Sequence, residues 1–410
     1  MSLLRMRAAL AVVALLPAFA AAAPLTLDQA LELAVERSAS ARAARADVTS
    51  AAEAAHAADQ LPDPMLTAGI ENLPAQGRDR FSTTADSQTM KRIGVSQEWV
   101  SHDKREARRA AAAAVMDRQA VAAGAASADA RVQTALAYVD AYYAGESLKL
   151  TTLDEHRANE EFEAAKARLA SSTGGARDVL ALSGARGMAE DETADARQAR
   201  SAAEIALLRW IGAPADELAA PVLPPVPAEA AFVSADPGVM AARRDVDVAR
   251  RDAAATAAER KPNWSWQASY GQRTGYPDMI SFGVSIPLPV ARAQRQDRMT
   301  AAKLALIEKA EGQLEESTRS ATSEYRSLAN DAIRLMQRIE RYRSAVIEPA
   351  HQRAEATLAA YRSSQGRLED LFEARRNELQ AQRKLLDLER DLARSQARLA
   401  YKPLTEGDRP

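Results

Sequence analysis

The sequence predicts a mainly helical fold with transmembrane β-strands, built from one unit that occurs twice. Gly94–Trp99 (GVSQEW) returns as Gly283–Leu288 (GVSIPL), and Ser171–Leu180 aligns with Arg362–Leu371. Each half has the same order of a helix, two short alternating strands, a very long helix, a turn and another helix. A unit of this size with only two strands cannot form an ordinary globular core.

The first residues have the pattern of a secretory signal peptide. Arg5 and Arg7 precede an apolar run from Ala8 to Ala20, and small residues follow. We predict a signal peptide over residues 1–22, with cleavage before Ala23. The run is too short to span a bilayer stably, which disfavours the alternative of an N-terminal membrane anchor. No later stretch is long and apolar enough for a transmembrane helix.

The composition argues against several classes of protein. The chain of 410 residues has no cysteine, so disulfides, thiolate metal sites and an acylated N-terminal cysteine are not expected. Its formal net charge of −2 gives no reason to expect nucleic-acid binding. We find no nucleophile elbow, P-loop or HExxH motif and predict no enzyme activity, metal site or cofactor. His156 and Glu160 have the spacing of a metal pair, but without a third ligand an exposed helix face is favoured.

The helices of the first half are bounded by prolines and glycines. A helix over Leu27–Gln60 ends at LPDP, where the prolines prevent continuation. The next helix runs from Ser101 to about Leu169, a rod of roughly 100 Å. After the break at Ser171–Gly175, a shorter helix reaches about Ile211. The lengths suit a wall of antiparallel rods.

The second half repeats this plan. We predict helices near Ala235–Arg260, Ala291–Arg362 and Arg367–Tyr401, with a break at Ser363–Gly366 and a kink at Pro349. The resulting divisions are a first repeat over residues 23–213, a Pro-rich connector over 214–234, a second repeat over 235–402 and a C-terminal tail over 403–410.

The four predicted strands alternate apolar and polar residues. In Met279–Leu288, isoleucine, phenylalanine and valine alternate with serine and glycine, and Trp264–Tyr270 alternates in the same way. This pattern fits transmembrane strands around a wet lumen. A small soluble sheet packed on the helices is the alternative, which the signal peptide and the aromatic residues on the apolar face disfavour. The predicted lipid-facing residues are Ile93, Val95, Trp264, Trp266, Tyr270, Ile280, Phe282, Val284 and Ile286.

Four strands are too few for a closed barrel. The smallest barrels in membranes have eight strands, and an open strand edge in lipid costs several kcal/mol for each unpaired backbone group. Three copies of the chain would supply about twelve strands. We therefore predict a homotrimeric, 12-stranded β-barrel that continues into a periplasmic α-helical barrel.

Three segments resemble the outer-membrane efflux (TolC-like) proteins: LTLDQALELAVERS, QLPDPML…GIENLP and AAYRSSQGRLEDLFEARRNELQAQRKL. The LPDP…ENLP segment is similar to the heavy-metal-efflux branch, whereas Val100–Arg109 departs from that branch's Pro-Gly-Lys-like corner. The resemblance implies a non-enzymatic trimeric duct in the outer membrane, extending into the periplasm. Its expected partners are a periplasmic adaptor, an inner-membrane efflux transporter and outer-membrane lipid.

The two breaks between helices are expected to form the far periplasmic ends of the helical hairpins. Small residues suit a tight turn and close contact with another helical hairpin. The candidate adaptor-docking residues are Ser172, Gly174, Gly175, Ser364 and Gly366. Acidic residues follow both breaks, either to complement the helix dipole or to form a ring of carboxylates at a closed end of the duct. The candidate gate residues are Asp178, Glu369 and Asp370.

Basic residues follow the second and fourth strands. They are interpreted either as partners in helix-surface ion pairs or as a collar near lipid head groups. These residues are Lys104, Arg105, Arg108, Arg109, Arg292, Arg295 and Arg298.

Two other protein classes and the cargo are left open by these patterns. A periplasmic adaptor would need β-rich domains around one hairpin, and a coiled-coil structural protein would show sustained heptads without paired strands. For a duct, metal cations, drugs and a secreted polypeptide are all compatible with the sequence.

Overall fold

A computed structural model describes residues 24–171, 175–215, 217–363, 365–405 and 407. This part of the chain forms nine α-helices, one π-helical turn and one four-stranded antiparallel sheet, which confirms the mainly helical architecture with a small sheet. The predicted signal peptide lies outside the described residues. The candidate docking residues Ser172, Gly174 and Ser364 lie outside them as well.

The first repeat differs from the prediction in its first helix. Ser38 leaves the helical conformation with a ψ of 115°, and its hydroxyl accepts a hydrogen bond from the Ala41 N–H at 3.2 Å. Ser38 therefore ends one helix and caps the next, so the single helix predicted over Leu27–Gln60 is wrong. The elements are α1 (Leu27–Arg37), α2 (Ala39–Ala58), β1 (Met65–Glu71), β2 (Met90–Trp99), α3 (His102–Ala170) and α4 (Ala176–Ile211).

The second repeat interrupts its long helix. A π-helical turn at Arg343–Ile347 lies just before Pro349, where a kink was predicted. Proline has no N–H to bond the carbonyl four residues earlier, so the helix widens locally. The end of the predicted connector is helical. The elements are α5 (Glu229–Ala235), α6 (Pro237–Ala258), β3 (Trp264–Arg273), β4 (Met279–Ser285), α7 (Gln296–Tyr342), α8 (Glu348–Arg362) and α9 (Leu368–Tyr401).

The sheet has the order β1-β2-β3-β4, so its central pairing joins the two repeats. Leu66, Val95, Ala268 and Phe282 lie opposite one another on successive strands. β4 ends at Ser285 because the prolines at positions 287 and 289 cannot donate to a ladder. The predicted lipid-facing Ile286 therefore lies one residue beyond the strand.

The helices run from the sheet to the hairpin ends, and the connector binds them together midway. Tyr138 of α3 is fully buried, with its hydroxyl 2.6 Å from the Leu25 carbonyl oxygen and 2.7 Å from that of Ala219. Tyr325 of α7 makes the corresponding bond to the Pro227 carbonyl at 2.9 Å. Burial raises the pKa of Tyr138 to about 12, so it remains a neutral donor. None of the described helices is long and apolar enough to cross a bilayer.

Candidate functional site

The sheet has one apolar face and one polar face. Its register places every other residue of each strand on the same side, and the side chains of the apolar face are exposed. Phe282 is the most exposed of those predicted to face lipid, at 81%. The apolar face contains Leu66, Ala68 and Ile70 of β1, Ile93, Val95 and Trp99 of β2, Trp264, Trp266, Ala268 and Tyr270 of β3, and Ile280, Phe282 and Val284 of β4.

An ion pair lies on the polar face of the sheet, between two residues that the alternation of the strands already places there. The Arg92 guanidinium donates to Glu71 Oε1 at 2.6 Å and to Ser269 Oγ at 2.8 Å. Arg92 lies between Gly69 and Gly271 in the ladder, so neither of its direct cross-strand partners has a side chain. The alternation of β2 predicts the face of Arg92, but the pairing with Glu71 depends on the strand register.

Aromatic residues mark one end of the apolar face. The rings of Trp99 and Trp264 lie 5.9 Å apart, opposite each other where β2 and β3 approach the helices. Trp266 lies one ladder step further along the same face. Tryptophan is enriched where a membrane protein passes from hydrocarbon to water, so this end fits an interfacial girdle.

The basic residues after β2 make ion pairs. Lys104 is 2% exposed, and its Nζ lies 3.1 Å from Glu259 and 2.7 Å from the Asn263 side-chain oxygen. Arg108 contacts the same Glu259 at 2.6 Å, and Arg105 lies 3.9 Å from Asp59. These contacts support the ion-pair interpretation for the first repeat. After β4, Arg292 lies 3.8 Å from Asp297.

The two hairpin ends differ in their need for glycine. A Cβ on Gly366 would lie 3.0 Å from the Ala360 Cβ, and the Gly366 N–H donates to the Ala360 carbonyl at 3.0 Å. Gly366 therefore allows a close backbone approach after α8. A Cβ on Gly175 would meet no atom of the described residues within 4 Å, and Gly175 has an extended conformation before α4. The matching glycines thus have unequal structural roles.

The candidate gate carboxylates lie in the first turns of α4 and α9. Glu369 forms ion pairs with Arg367 and with Arg177, the latter at 2.9 Å, which joins the two hairpin ends. Asp178 and Asp370 make no ion pair with the described residues. Their positions satisfy the helix-dipole interpretation and leave their charges available.

An ionic cluster around one buried carboxylate lies above the hairpin ends, and the sequence does not predict it. Glu378 of α9 is 4% exposed and lies 2.7 Å from His351 Nδ1 on α8. Arg375 lies 3.4 Å from Glu378, 3.6 Å from Glu355 and 4.0 Å from Glu161. Burial raises the pKa of Glu161. The cluster ties α8, α9 and α3 together, and its contacts between helices join residues that are distant in sequence, so no local pattern predicts those contacts.

No metal centre emerges from these clusters. Across the described ranges of the chain, no three histidine, cysteine, aspartate or glutamate side chains are placed to hold a metal ion. His156 lies 3.3 Å from Glu160, and both side chains are about two-thirds exposed.

No protein-family model matches the sequence, and no curated protein matches it. Solved structures do match. A membrane protein from Pseudomonas aeruginosa is 18% identical, with a TM-score of 0.79, over 94% of this chain and 91% of that one. The outer membrane protein VceC from Vibrio cholerae is also 18% identical, with a TM-score of 0.74, over 92% and 96%. The Campylobacter jejuni CmeC outer membrane channel is 13% identical, with a TM-score of 0.76, over 92% and 85%. The chain therefore has the fold of these three membrane proteins along nearly its whole length.

Proposed function

We propose that the chain is the outer-membrane exit duct of a tripartite efflux pump, extending from the outer membrane into the periplasm. The observation that carries the proposal is the four-stranded sheet, apolar on one face and polar on the other, joined to long helices. The fold shared with outer-membrane channels supports the same function. The duct is passive, and the proposal assigns no catalytic step to it.

The assembly we propose is a homotrimer. Within one chain, β1 and β4 are the edges of the sheet, and among the described residues each has one side without a backbone partner. In lipid these edges require partners because unpaired backbone groups are costly there. Three copies provide about twelve strands, enough for a hollow barrel.

The hairpin ends are the proposed docking site for a periplasmic adaptor, which would connect the duct to an inner-membrane efflux transporter. The contact of Arg177 with Glu369 joins both hairpins of one chain at this end. Asp178 and Asp370, with Glu369, are the proposed gate. The resemblance of LPDP…ENLP to the heavy-metal branch makes metal cations the first cargo class to test.

The test is to purify the full chain in detergent and measure its mass and its conductance. Native mass spectrometry is expected to show three copies, and the same preparation should form long-lived pores in a planar bilayer. A folded monomer that forms no pore would overturn the proposal. In a strain that lacks its own exit duct, the chain with its pump should restore resistance to the cargo, and metal salts should be compared with drugs.

A further inference from the structure

The two repeats of one chain contact each other in the sheet through β2 and β3. Within the chain, Val95 of β2 pairs with Ala268 of β3. LPDPML and KPNWSW are separated by 200 positions, so Ala268 corresponds to Ala68 of β1. The spacing of 189 between the GVS segments makes Val284 of β4 the counterpart of Val95. The observed pair, Val95 with Ala268, and the pair of their counterparts, Val284 with Ala68, therefore each combine a valine with an alanine.

These counterparts cannot meet within one chain. Val284 and Ala68 lie on opposite edges of the sheet, three strand spacings or about 14 Å apart. We propose that a second copy supplies the partner, so that Val284 of one copy pairs with Ala68 of the next, as Val95 pairs with Ala268. This proposal rests on the proposed assembly and adds the register in which its copies join.

The register can be checked against barrel geometry. Within one chain, Ala68, Ile93, Tyr270 and Ile280 lie opposite one another in turn. Within one chain, Ile280 is the residue of β4 that lies level with Ala68. If Val284 instead pairs with Ala68 of the next copy, the position on β4 shifts by four residues between one copy and the next. Three copies give a total register shift around the barrel, its shear, of about twelve residues for about twelve strands. A barrel whose shear equals its strand number has strands tilted by about 36°.

The neighbouring registers fit less well. Because the two faces must match, the register can change only in steps of two residues. A shift of two residues per copy gives a tilt of about 20°, and a shift of six gives about 47°. Outer-membrane barrels have tilts of about 35–45°, which favours the shift of four.

The corner after β4 supports the same contact. Leu288 is 79% exposed and corresponds to Trp99, whose ring contacts Trp264 within the chain. Trp264 corresponds to Pro64, so the proposed register places Leu288 beside Pro64 of the second copy. An apolar partner at this position accounts for an exposed leucine in a segment that prolines exclude from the strand.

Charge complementarity points to the same neighbour. Arg108 contacts Glu259 between the repeats at 2.6 Å. Arg295 is the counterpart of Arg108 in the second repeat, because the spacing of 187 positions between them is the same as that between Tyr138 and Tyr325. Asp59 is the counterpart of Glu259 in the first repeat. The proposed register therefore brings Arg295 of one copy toward Asp59 of the next, a carboxylate that Arg105 of its own chain also approaches at 3.9 Å. Asp63, the counterpart of Asn263, adds a second carboxylate.

Disulfide trapping tests the register, because the chain has no cysteine of its own. The variant Val284→Cys/Ala68→Cys should form disulfide-linked dimers and trimers on oxidation, reversible by reductant. Two control variants combine Val284→Cys with Leu66→Cys or with Ile70→Cys. Directly opposed residues have Cα atoms 4.5–5.5 Å apart, within disulfide reach, whereas residues offset by two positions lie about 7–8 Å apart. The controls should cross-link at least about tenfold more slowly.

The outcomes separate this inference from the proposed assembly. Faster cross-linking of either control pair overturns the register but keeps the trimer. A native mass of three copies with no cross-link in any pair also overturns the register. A native mass of one copy overturns the assembly itself. If cysteine in the strands prevents insertion, Leu288→Cys/Pro64→Cys probes the corner, with Leu288→Cys/Met65→Cys as its control, and lack of preference for Pro64 overturns the proposal.

Discussion

The clearest division between residues lies on β4, where neighbours face opposite sides of the sheet. Val284→Asp places a carboxylate on the apolar face, and we expect it to destabilise the inserted state, by less than the roughly 2–4 kcal/mol that arginine or lysine costs near the membrane midplane. The adjacent Ser285→Asp places the same charge on the polar face and should cost much less. Unfolding from lipid vesicles by denaturant measures both. Equal losses would mean that the assigned faces are wrong.

The two glycines at the hairpin ends should respond differently to the same substitution. A Cβ at Gly366 would meet Ala360, so Gly366→Ala should lower the stability of the α8–α9 hairpin by about 1–3 kcal/mol. Gly175→Ala has open space and an extended backbone, so its effect should be small. Hydrogen exchange in the two hairpins provides the measurement. A larger effect at Gly175 would contradict the geometry.

His351 should make the stability of the α8–α9 hairpin depend on pH. The hydrogen bond with Glu378, together with the charges of Glu378, Glu355 and Glu348, raises the pKa of His351. A raised pKa in the folded state means that this contribution is complete below the unfolded value of about 6.5 and is lost as pH rises through the folded value. The advantage of the parent over His351→Gln should therefore shrink as the pH rises from 6 to above 8.

Thermal unfolding at several pH values tests this expectation. His156→Gln is the matched control, because His156 contacts a glutamate on its own helix and both side chains are largely exposed. A constant difference between the parent and His351→Gln across the pH range would show that protonation of His351 does not stabilise the cluster. Arg375 remains beside Glu378 in every variant, so the carboxylate keeps one cationic partner.

At the scale of elements, the π-helical turn before Pro349 is the main interruption of the second long helix. Pro349→Ala restores a backbone donor, and the segment should then return toward regular α-helix with slower hydrogen exchange over residues 340–352. The gain is expected to be about 1–3 kcal/mol, up to the cost of proline inside a helix. Pro237→Ala is the control, because Pro237 begins α6, where no N–H is needed. Unchanged exchange in Pro349→Ala would mean that packing, not proline, holds the π-turn.

Local patterns in the sequence predict most elements but not their interruptions. Prolines at positions 62 and 64 end the first helical stretch, and alternation identifies all four strands. Ser38 was missed because a serine inside a helical pattern has the same appearance whether it caps a new helix or faces solvent. The end of β4 was placed too late because alternation continues through Ile286 although Pro287 stops the ladder.

The ion pairs of the candidate site are not predictable from the sequence, because they join residues that are distant along the chain. The pairing of Arg92 with Glu71 requires the strand register, and that of His351 with Glu378 requires the packing of α8 on α9. Neither pair has a characteristic spacing along the chain. The faces of strands were predictable because they follow from a period of two, whereas ionic clusters depend on tertiary structure.

At the scale of the whole molecule, the two repeats are similar in plan and unequal in detail. The first has a continuous long helix, α3, and a buried lysine at the corner with the sheet, Lys104. The second has the π-turn and an exposed corner at Leu288. In the proposed assembly, a continuous and an interrupted long helix would therefore alternate around the axis.

In the proposed assembly, the charges at the hairpin ends are expected to affect ion conduction. Three copies would bring six carboxylates, from Asp178 and Asp370, to one opening, where like charges repel unless cations neutralise them. The double variant Asp178→Asn/Asp370→Asn should therefore lose affinity for a blocking trivalent cation by at least about tenfold, or about 1.4 kcal/mol. Asp191→Asn/Asp195→Asn removes the same number of charges from the exposed surface of α4 and should leave block unchanged. Measurement of block in planar bilayers distinguishes the two variants. If the hairpin-end variant is blocked like the parent, these carboxylates serve only the helix dipoles, and the constriction lies elsewhere along the duct.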